Sequence, residues 1–242
     1  MLSIRLVRTP EVVLLARAAG FDGVFVDLEH STISTDTVSH LSLTALAAGL
    51  TPLVHVSSAR SESIGPCLDS GALGIIVPHV DSAEEASVAV AAARYAPRGE
   101  RGVSSALPFF DYRSVPLGEA TAAVDEATLV VAMIESKEAV DRIDEIASVD
   151  GIDILMIGAN DLTTDLGVPG EHGHEVAQRA FRRVISAAES AGRFAGIGGV
   201  PADSGHLHDL IQSGARFVSA GIDLRHLGRA ITSWNDQVRS GI

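Results

Sequence analysis

The sequence predicts a (β/α)8 barrel, an α/β fold formed as one domain over residues 1–242. Three observations predict it. Short apolar runs rich in β-branched residues alternate with helical stretches along the whole chain. The runs are continuous rather than alternating, which suits parallel strands buried on both faces. The length, 242 residues, is close to the roughly 250 typical of such barrels.

Taken in order, strands are expected at 3–7 (SIRLV), 23–28 (GVFVDL), 51–56 (TPLVHV) and 73–78 (LGIIVP). The second half supplies 128–134 (TLVVAMI), 152–157 (IDILMI), 193–198 (RFAGIG) and 216–221 (RFVSAG). Helix signals lie between them. PEVVLLARAAG starts on proline and stops on glycine, the asymmetry expected of helix ends. STDTVSHLSLTALAAG, SAEEASVAVAAARY and SKEAVDRIDEIASV open on serine, a good N-cap, with acids in the first turn. HEVAQRAFRRVISAAESAG, ADSGHLHDLIQSG and DLRHLGRAITSWNDQVRSG complete the set. An open doubly wound sheet is the alternative, but no GxGxxG or GxxxxGK[ST] loop follows the first strand. No linker or low-complexity tract divides the chain. The stretch 96–126 is longer than a plain connection and is expected to be functional or interfacial.

Composition narrows the function classes. Hydrophobic residues make up 46% and mean hydropathy is +0.27, ample for a sizeable core. No apolar run approaches the roughly 18 residues of a membrane span. The start, MLSIRLVRTPEVV, has no apolar segment with a cleavage site, so a soluble cytoplasmic protein is expected. Met1 lies very close to the first strand, as if a short N-terminal segment found in barrel relatives were missing. Eighteen basic against 31 acidic side chains give −13, which disfavours nucleic acid and anionic membranes as partners. The single cysteine, Cys67, excludes an internal disulfide and fits a reducing compartment as a small buried residue.

In such barrels the chemistry sits at the C-terminal ends of the strands. Those ends carry Asp27, Glu29 and His30, then His55, His79 and Glu135, then the loop Gly158-Ala-Asn-Asp161. Glycines Gly198, Gly199 and Gly221 leave room for a ligand. Glu135 and Asp161, from neighbouring strands, could give two oxygen ligands to Mg²⁺ or Mn²⁺. From spacing alone, Glu135 could equally cap the next helix and Asp161 open a turn. Asp27 and His30 suggest a carboxylate–imidazole dyad for general base work, although a DxxH spacing is common. His172 and His174 are close enough to the rim to be substrate contacts; His40, His206, His208 and His226 read as surface residues in helices. No Cys/His cluster has zinc spacing.

The chain resembles the HpcH/HpaI aldolase family, metal-dependent class II pyruvate aldolases acting on 4-hydroxy-2-oxo acids. The resemblance rests on GFDGVFVDLEHS (20–31), CLDSGALGIIVPHVDSAEEA (67–86), PRGERGVSSAL (97–107), MIESKEAV (133–140) and IGANDLTTDLG (157–167). It implies a (β/α)8 barrel and a homo-hexamer, with the last helix, 223–239, exchanged between paired subunits. It puts the metal-binding carboxylates at Glu135 and Asp161, and a divalent ion, magnesium or manganese with cobalt as a third option, between them. It makes His30 the general base with Asp27 beside it, and Asp69 an aid to that base. Pyruvate's carboxylate would meet the backbone at Asn160 and Asp161, beside Gly158. Two positions depart from the family. An arginine that stabilises the oxyanion is here His55, and a glutamine that touches substrate is here Met133. A neutral imidazole lacks arginine's charge and fork, and losing one such donor costs about 3 kcal/mol at the transition state. Arg60 is expected to reach in from the following loop as a substitute.

These groups permit a metal to chelate the oxo acid and stabilise enolate charge while His30 takes the proton of the 4-hydroxyl. Lys137, the only lysine, opens a helix, which argues against a Schiff base. The expected reaction is cleavage or formation of a 4-hydroxy-2-oxo acid, giving pyruvate and an aldehyde. The alternatives are decarboxylation of a 2-oxo acid such as oxaloacetate, suggested by His55, and an inactive barrel that binds ligand or serves assembly.

Overall fold

The computed structural model describes residues 1–104 and 106–240; Ser105, in the segment 97–107, and Gly241, at the end of the last expected helix, lie outside the described residues. Each apolar run yields a strand. Among the described residues these are β1 (Leu2–Ile4), β2 (Gly23–Asp27), β3 (Thr51–His55), β4 (Gly74–Val77), β5 (Leu129–Ile134), β6 (Ile154–Gly158), β7 (Phe194–Gly198) and β8 (Ala215–Val218). They pair in parallel in chain order, β1 to β8. Beyond β8 the chain meets β1 again. The Met1 amine donates to the Val218 carbonyl at 2.9 Å, and Ser3 N–H donates to the Gly221 carbonyl at 3.0 Å. The sheet is curled, consistent with a (β/α)8 barrel.

The helices are α1 (Glu11–Ala18), α2 (Thr35–Ala48), α3 (Ile64–Asp69), α4 (Ala83–Ala93), α5 (Leu117–Ala127) and α6 (Lys137–Asp141). There follow α7 (Ile143–Ala147), α8 (Ala159–Asp165), α9 (Glu175–Ser190), α10 (His206–Gln212) and α11 (Asp223–Ser240). The serines cap as the sequence suggests: Ser34, Ser82 and Ser136 accept the backbone N–H groups of Thr37, Glu85 and Ala139.

The structure corrects the sequence reading in five places. The first strand stops at Ile4 because the N–H groups of Arg5, Leu6 and Val7 turn to the Asp223 carboxylate, at 2.8–3.2 Å, instead of continuing a ladder. The helix expected over 136–149 breaks at Arg142 into α6 and α7. Residues 159–165 form a helix, not a loop, and α3 and α5 are helices in stretches where the sequence predicts none. Pro66 sits in the first turn of α3, where its missing N–H has no acceptor to lose.

Two apolar layers hold the fold, and strand parity separates them. Val24, Val26, Val54, Ile75, Val130, Ala132 and Leu155 face outward and pack with the helices. Phe25, Leu53, Ile76, Val131, Met133, Ile154 and Met156 form a separate cluster that fills the interior. Because side chains alternate along a strand, the residue two positions after each interior one faces the same way. Phe25, Leu53, Met133 and Met156 are therefore followed, at the strand ends, by Asp27, His55, Glu135 and Gly158. By the same parity Ser3 leads to Arg5.

Candidate active site

Above the interior cluster lies a cavity of about 190 Å³. His30, His55, Met133, Glu135, Gly158 and Asp161 line it, together with Asn160. It therefore brings together every residue to which the resemblance gives a role except Asp27 and Asp69. Asp27 is fully buried beneath it. Asp69, at the end of α3, turns to Arg101, whose Nη2 lies 2.7 Å from its Oδ1.

The carboxylates and imidazoles form one chain. Asp27 Oδ2 is 3.4 Å from His55 Nδ1, and His55 Nε2 is 3.1 Å from Glu29 Oε2. Glu29 Oε1 is 3.2 Å from His79 Nε2, and His79 Nδ1 is 3.0 Å from Glu135 Oε1. His79 adopts φ +52°, a turn that also lets its backbone N–H donate to Glu135 Oε1 at 2.7 Å. Arg5 adds a cation, its Nε 2.7 Å from Asp27 Oδ2. Arg5 Nε, Asp27 Oδ2 and His55 Nε2 meet their partners at ion-pair distance without hydrogen-bond alignment, so charge rather than directionality holds them.

The expected Asp27–His30 dyad is arranged differently. Asp27 Oδ1 accepts the backbone N–H groups of Glu29 and His30, at 3.0 and 2.8 Å. The DxxH spacing thus reports a side-chain-stabilised turn. The His30 ring instead faces Glu29, with Nε2 3.4 Å from Oε2. Asp69 is spent on Arg101. Arg60 lines a different hollow, beside His79, while Arg5, Arg225 and Arg229 are the arginines at the main cavity. His172 and His174 do not line the cavity; His174 caps α9 by accepting Val176 N–H at 3.2 Å. His226, expected on the surface, lines it.

Electrostatics follow from this arrangement. Both nitrogens of His55 face carboxylates, so both carry protons. Burial opposes that charge, but contact with Asp27 and Glu29 outweighs it and pushes the imidazole up to about 9. His55 is therefore an imidazolium at neutral pH, and the position keeps a positive charge after all. Burial would raise the Asp27 carboxyl, yet His55, the His30 N–H and Arg5 hold it well below the usual carboxylate range. Glu29 is lowered too: His55, His30 and His79 overcome its burial. Glu135 goes the other way. Burial raises it, and the negative charges of Asp161 and Glu29 add to the rise against the pull of His79.

That last imbalance bears on a metal. Among the described residues no group of three or more His, Cys, Asp or Glu side chains could hold an ion. The donors present are two carboxylates that repel each other, Glu135 buried and Asp161 exposed at the cavity wall. An all-oxygen pair with room for water and substrate suits a hard divalent cation. Oε1 of Glu135 is engaged by His79, which leaves Oε2. Gly158 makes space for it: a Cβ there would stand 2.8 Å from Oε2. Ser136, not Glu135, caps α6. Asp161 lies in the first turn of α8, where backbone N–H groups lack intrahelical acceptors. Lys137 is exposed and pairs with Asp141.

A model of the family described as HpcH/HpaI aldolase/citrate lyase matches residues 7–230. The chain is 39% identical over 201 residues to a 4-hydroxy-4-methyl-2-oxoglutarate aldolase of Hapsidospora irregularis, covering 82% of this chain and 74% of that protein. It is 32% identical over 212 residues to a 2-keto-3-deoxy-L-rhamnonate aldolase of Escherichia coli, covering 86% and 77%. Its fold superposes with a TM-score of 0.92 on the crystal structure of an HpcH/HpaI aldolase from Desulfitobacterium hafniense, at 29% identity over 98% of this chain and 91% of that one.

Proposed function

We propose that this chain, which belongs to the HpcH/HpaI aldolase/citrate lyase family and is an aldolase of the carbon–carbon lyase class, acts on 4-hydroxy-2-oxo acids at the cavity above β5 and β6. The products are pyruvate, or a close 2-oxo acid, and an aldehyde. The substrates named for the two relatives share this head and differ in the tail; the shared head is what carries over.

The observation that supports the reading is the meeting of Glu135, Asp161 and His30 in one small cavity. Family membership implies a divalent ion, and Glu135 and Asp161 are the residues that would hold it, with magnesium or manganese as the fitting ion and cobalt a third option. Bound there, it supplies Lewis acidity, drawing charge from the keto oxygen as the C3–C4 bond breaks. His30 takes the 4-hydroxyl proton; its Nε2 is oriented by Glu29, so Nδ1 is the accepting atom. His55, as an imidazolium between Asp27 and Glu29, keeps a positive charge in the cavity wall near the reacting oxygen. The backbone N–H groups of Asn160 and Asp161 receive the oxo acid's carboxylate. Gly158 leaves room beneath it, and Met133 gives an apolar wall where the family's glutamine would hydrogen-bond.

The chain is proposed to assemble as a homo-oligomer, a hexamer by resemblance, with residues 223–239 of α11 on a neighbouring copy. Leu224, Leu227, Ile231, Trp234 and Val238 recur three and four apart and are all exposed, Trp234 by 72%. No helix of the described residues is long and apolar enough to cross a membrane; work in the cytoplasm, on small acids, is the proposed setting.

The test is an assay of pyruvate release from a panel of 4-hydroxy-2-oxo acids and oxaloacetate, with Mn²⁺ or Mg²⁺ and with EDTA. Aldehyde and pyruvate, both lost with EDTA, are expected. Carbon dioxide without aldehyde would mark a decarboxylase, and metal binding without turnover an inactive barrel.

A further inference from the structure

We infer that Arg5, just beyond the end of β1, donates to the C2 oxygen of the oxo acid as negative charge develops there. The resemblance gives that part to an arginine at the position of His55, on β3. The inference rests on the aldolase reading and adds a catalytic residue to it. His55 cannot play the part directly. Its side chain is 3% exposed, and its two nitrogens face Asp27 and Glu29 at 3.4 and 3.1 Å. With both N–H groups turned to carboxylates, it has no donor left for a substrate oxygen. It contributes charge through the cavity wall only.

Arg5 meets the same carboxylate. Its Nε stands 2.7 Å from Asp27 Oδ2, the oxygen that also faces His55 Nδ1. In the sheet β1 and β3 flank β2, which carries Asp27, so a cation from either neighbour can reach that oxygen. Here the guanidinium arrives from β1, while β3 supplies the imidazole. Unlike His55, the Arg5 side chain is 29% exposed, and it lines the cavity. A guanidinium has five N–H donors in a fork. Nε lies against Asp27, and among the described residues the Nη groups donate to no protein acceptor. Ser3, one inward step earlier on β1, lines the cavity too; its hydroxyl is buried and has no partner among the described residues. A buried polar group left unpaired costs free energy, which a hydrogen-bonding ligand would relieve. Two neighbouring groups of one strand thus offer donors to the cavity.

The backbone holds Arg5 in place. The buried Asp223 carboxylate accepts the N–H groups of Arg5, Leu6 and Val7 at 2.8–3.2 Å, which ends β1 at Ile4. Strand parity turns Arg5 inward with Ser3. In a closed ring of eight strands, β1 lies opposite β5. An oxo acid head held by Glu135 and Asp161, at the ends of β5 and β6, therefore has Arg5 across the mouth of the barrel. As the C3–C4 bond breaks, its electron pair moves into C2–C3 and the C2 oxygen gains the charge. An Nη–H of Arg5 donates to that oxygen, and the guanidinium itself stays protonated. The same charge develops when pyruvate loses a C3 proton to water, and it is withdrawn when C3 regains one.

Exchange of the pyruvate methyl protons in heavy water, followed by NMR with Mg²⁺ present, reads this step whatever the aldehyde is. Oxalate, planar and dianionic like the enolate, reads the same charge without turnover. In the full-length protein, Arg5→Met is expected to slow exchange roughly 100- to 1000-fold, the effect of losing one oxyanion donor, with a much smaller change in the KM of pyruvate. By calorimetry, oxalate affinity should fall at least ~10-fold more than pyruvate affinity, the worth of one charged hydrogen bond. Arg5→Lys keeps a cation beside Asp27 and so protects the fold; it should recover part of both losses. If Arg5 only neutralises Asp27, Arg5→Met lowers the melting midpoint but keeps the native exchange rate and oxalate-to-pyruvate ratio. That result overturns the inference, while EDTA-sensitive exchange by the native enzyme leaves the aldolase reading standing. Should Arg5→Met fail to fold, Arg5→Lys decides: slower exchange at native KM is expected, and native exchange overturns the inference. No exchange by the native enzyme overturns the aldolase reading and the inference with it.

Discussion

Replacing His55 with glutamine removes the charge between Asp27 and Glu29, and the cost should depend on pH in one direction. The folded imidazole is held up to about 9 against an ordinary 6.5. A difference of about 2.5 pH units corresponds to about 3 kcal/mol at 1.36 kcal/mol per unit. Because the folded value is raised, this stabilisation is complete below pH 6.5 and is lost as pH rises through about 9. For a chain of this size, 1 kcal/mol moves the midpoint by roughly 2–4 °C, so His55→Gln should melt roughly 6–12 °C lower at pH 6. The gap should largely close by pH 9.5. Between those limits Asp27 and Glu29 stay ionised, since both are lowered, and contribute no slope of their own. Thermal melts of both proteins by circular dichroism, at half-unit steps, measure this. An equal gap at pH 6 and pH 9.5 would refute the charged His55 and leave a packing loss in its place.

Other consequences concern the acid pair. Gly158→Ala adds a Cβ 2.8 Å from Glu135 Oε2 and 3.0 Å from its Cβ; Mn²⁺ affinity, followed by paramagnetic resonance, should drop at least ~10-fold, and native affinity would show that Oε2 is not used. His79→Asn keeps a residue that tolerates φ +52° but removes the ring from Oε1. Mn²⁺ should then bind roughly 10-fold more weakly, while an unchanged Kd would make His79 a surface residue only. Glu135→Ala should abolish metal-dependent pyruvate release with the circular dichroism spectrum intact; unchanged rates would remove Glu135 from the site.

The strand pattern was legible because parallel strands must be apolar on both faces, so all eight runs stand out against the helices between them. The rim was legible for the same reason: Asp27, His55 and Glu135 are polar groups two residues after buried interior ones. Applied to the first strand, that parity would also have found Arg5 after Ser3. The run SIRLV hides it by reading as one unbroken strand, and only Asp223, more than 200 residues away, shows why that strand stops. The helix α8 was hidden by its polar composition, although Ala159, Leu162 and Thr163 give a buried stripe at helical spacing. The partnership of His30 with Glu29, and the bridge through His79, depend on turns whose direction the spacing does not carry. Asp69 follows the same lesson: its partner, Arg101, comes from the irregular stretch, which has no period to read.

The most direct measurement is anomalous diffraction at the manganese edge from crystals soaked with Mn²⁺ and pyruvate. A single peak lying roughly 2.0–2.2 Å from both Glu135 Oε2 and an Asp161 carboxylate oxygen is the predicted result. A cavity without a peak, or a peak ligated by neither residue, would contradict it.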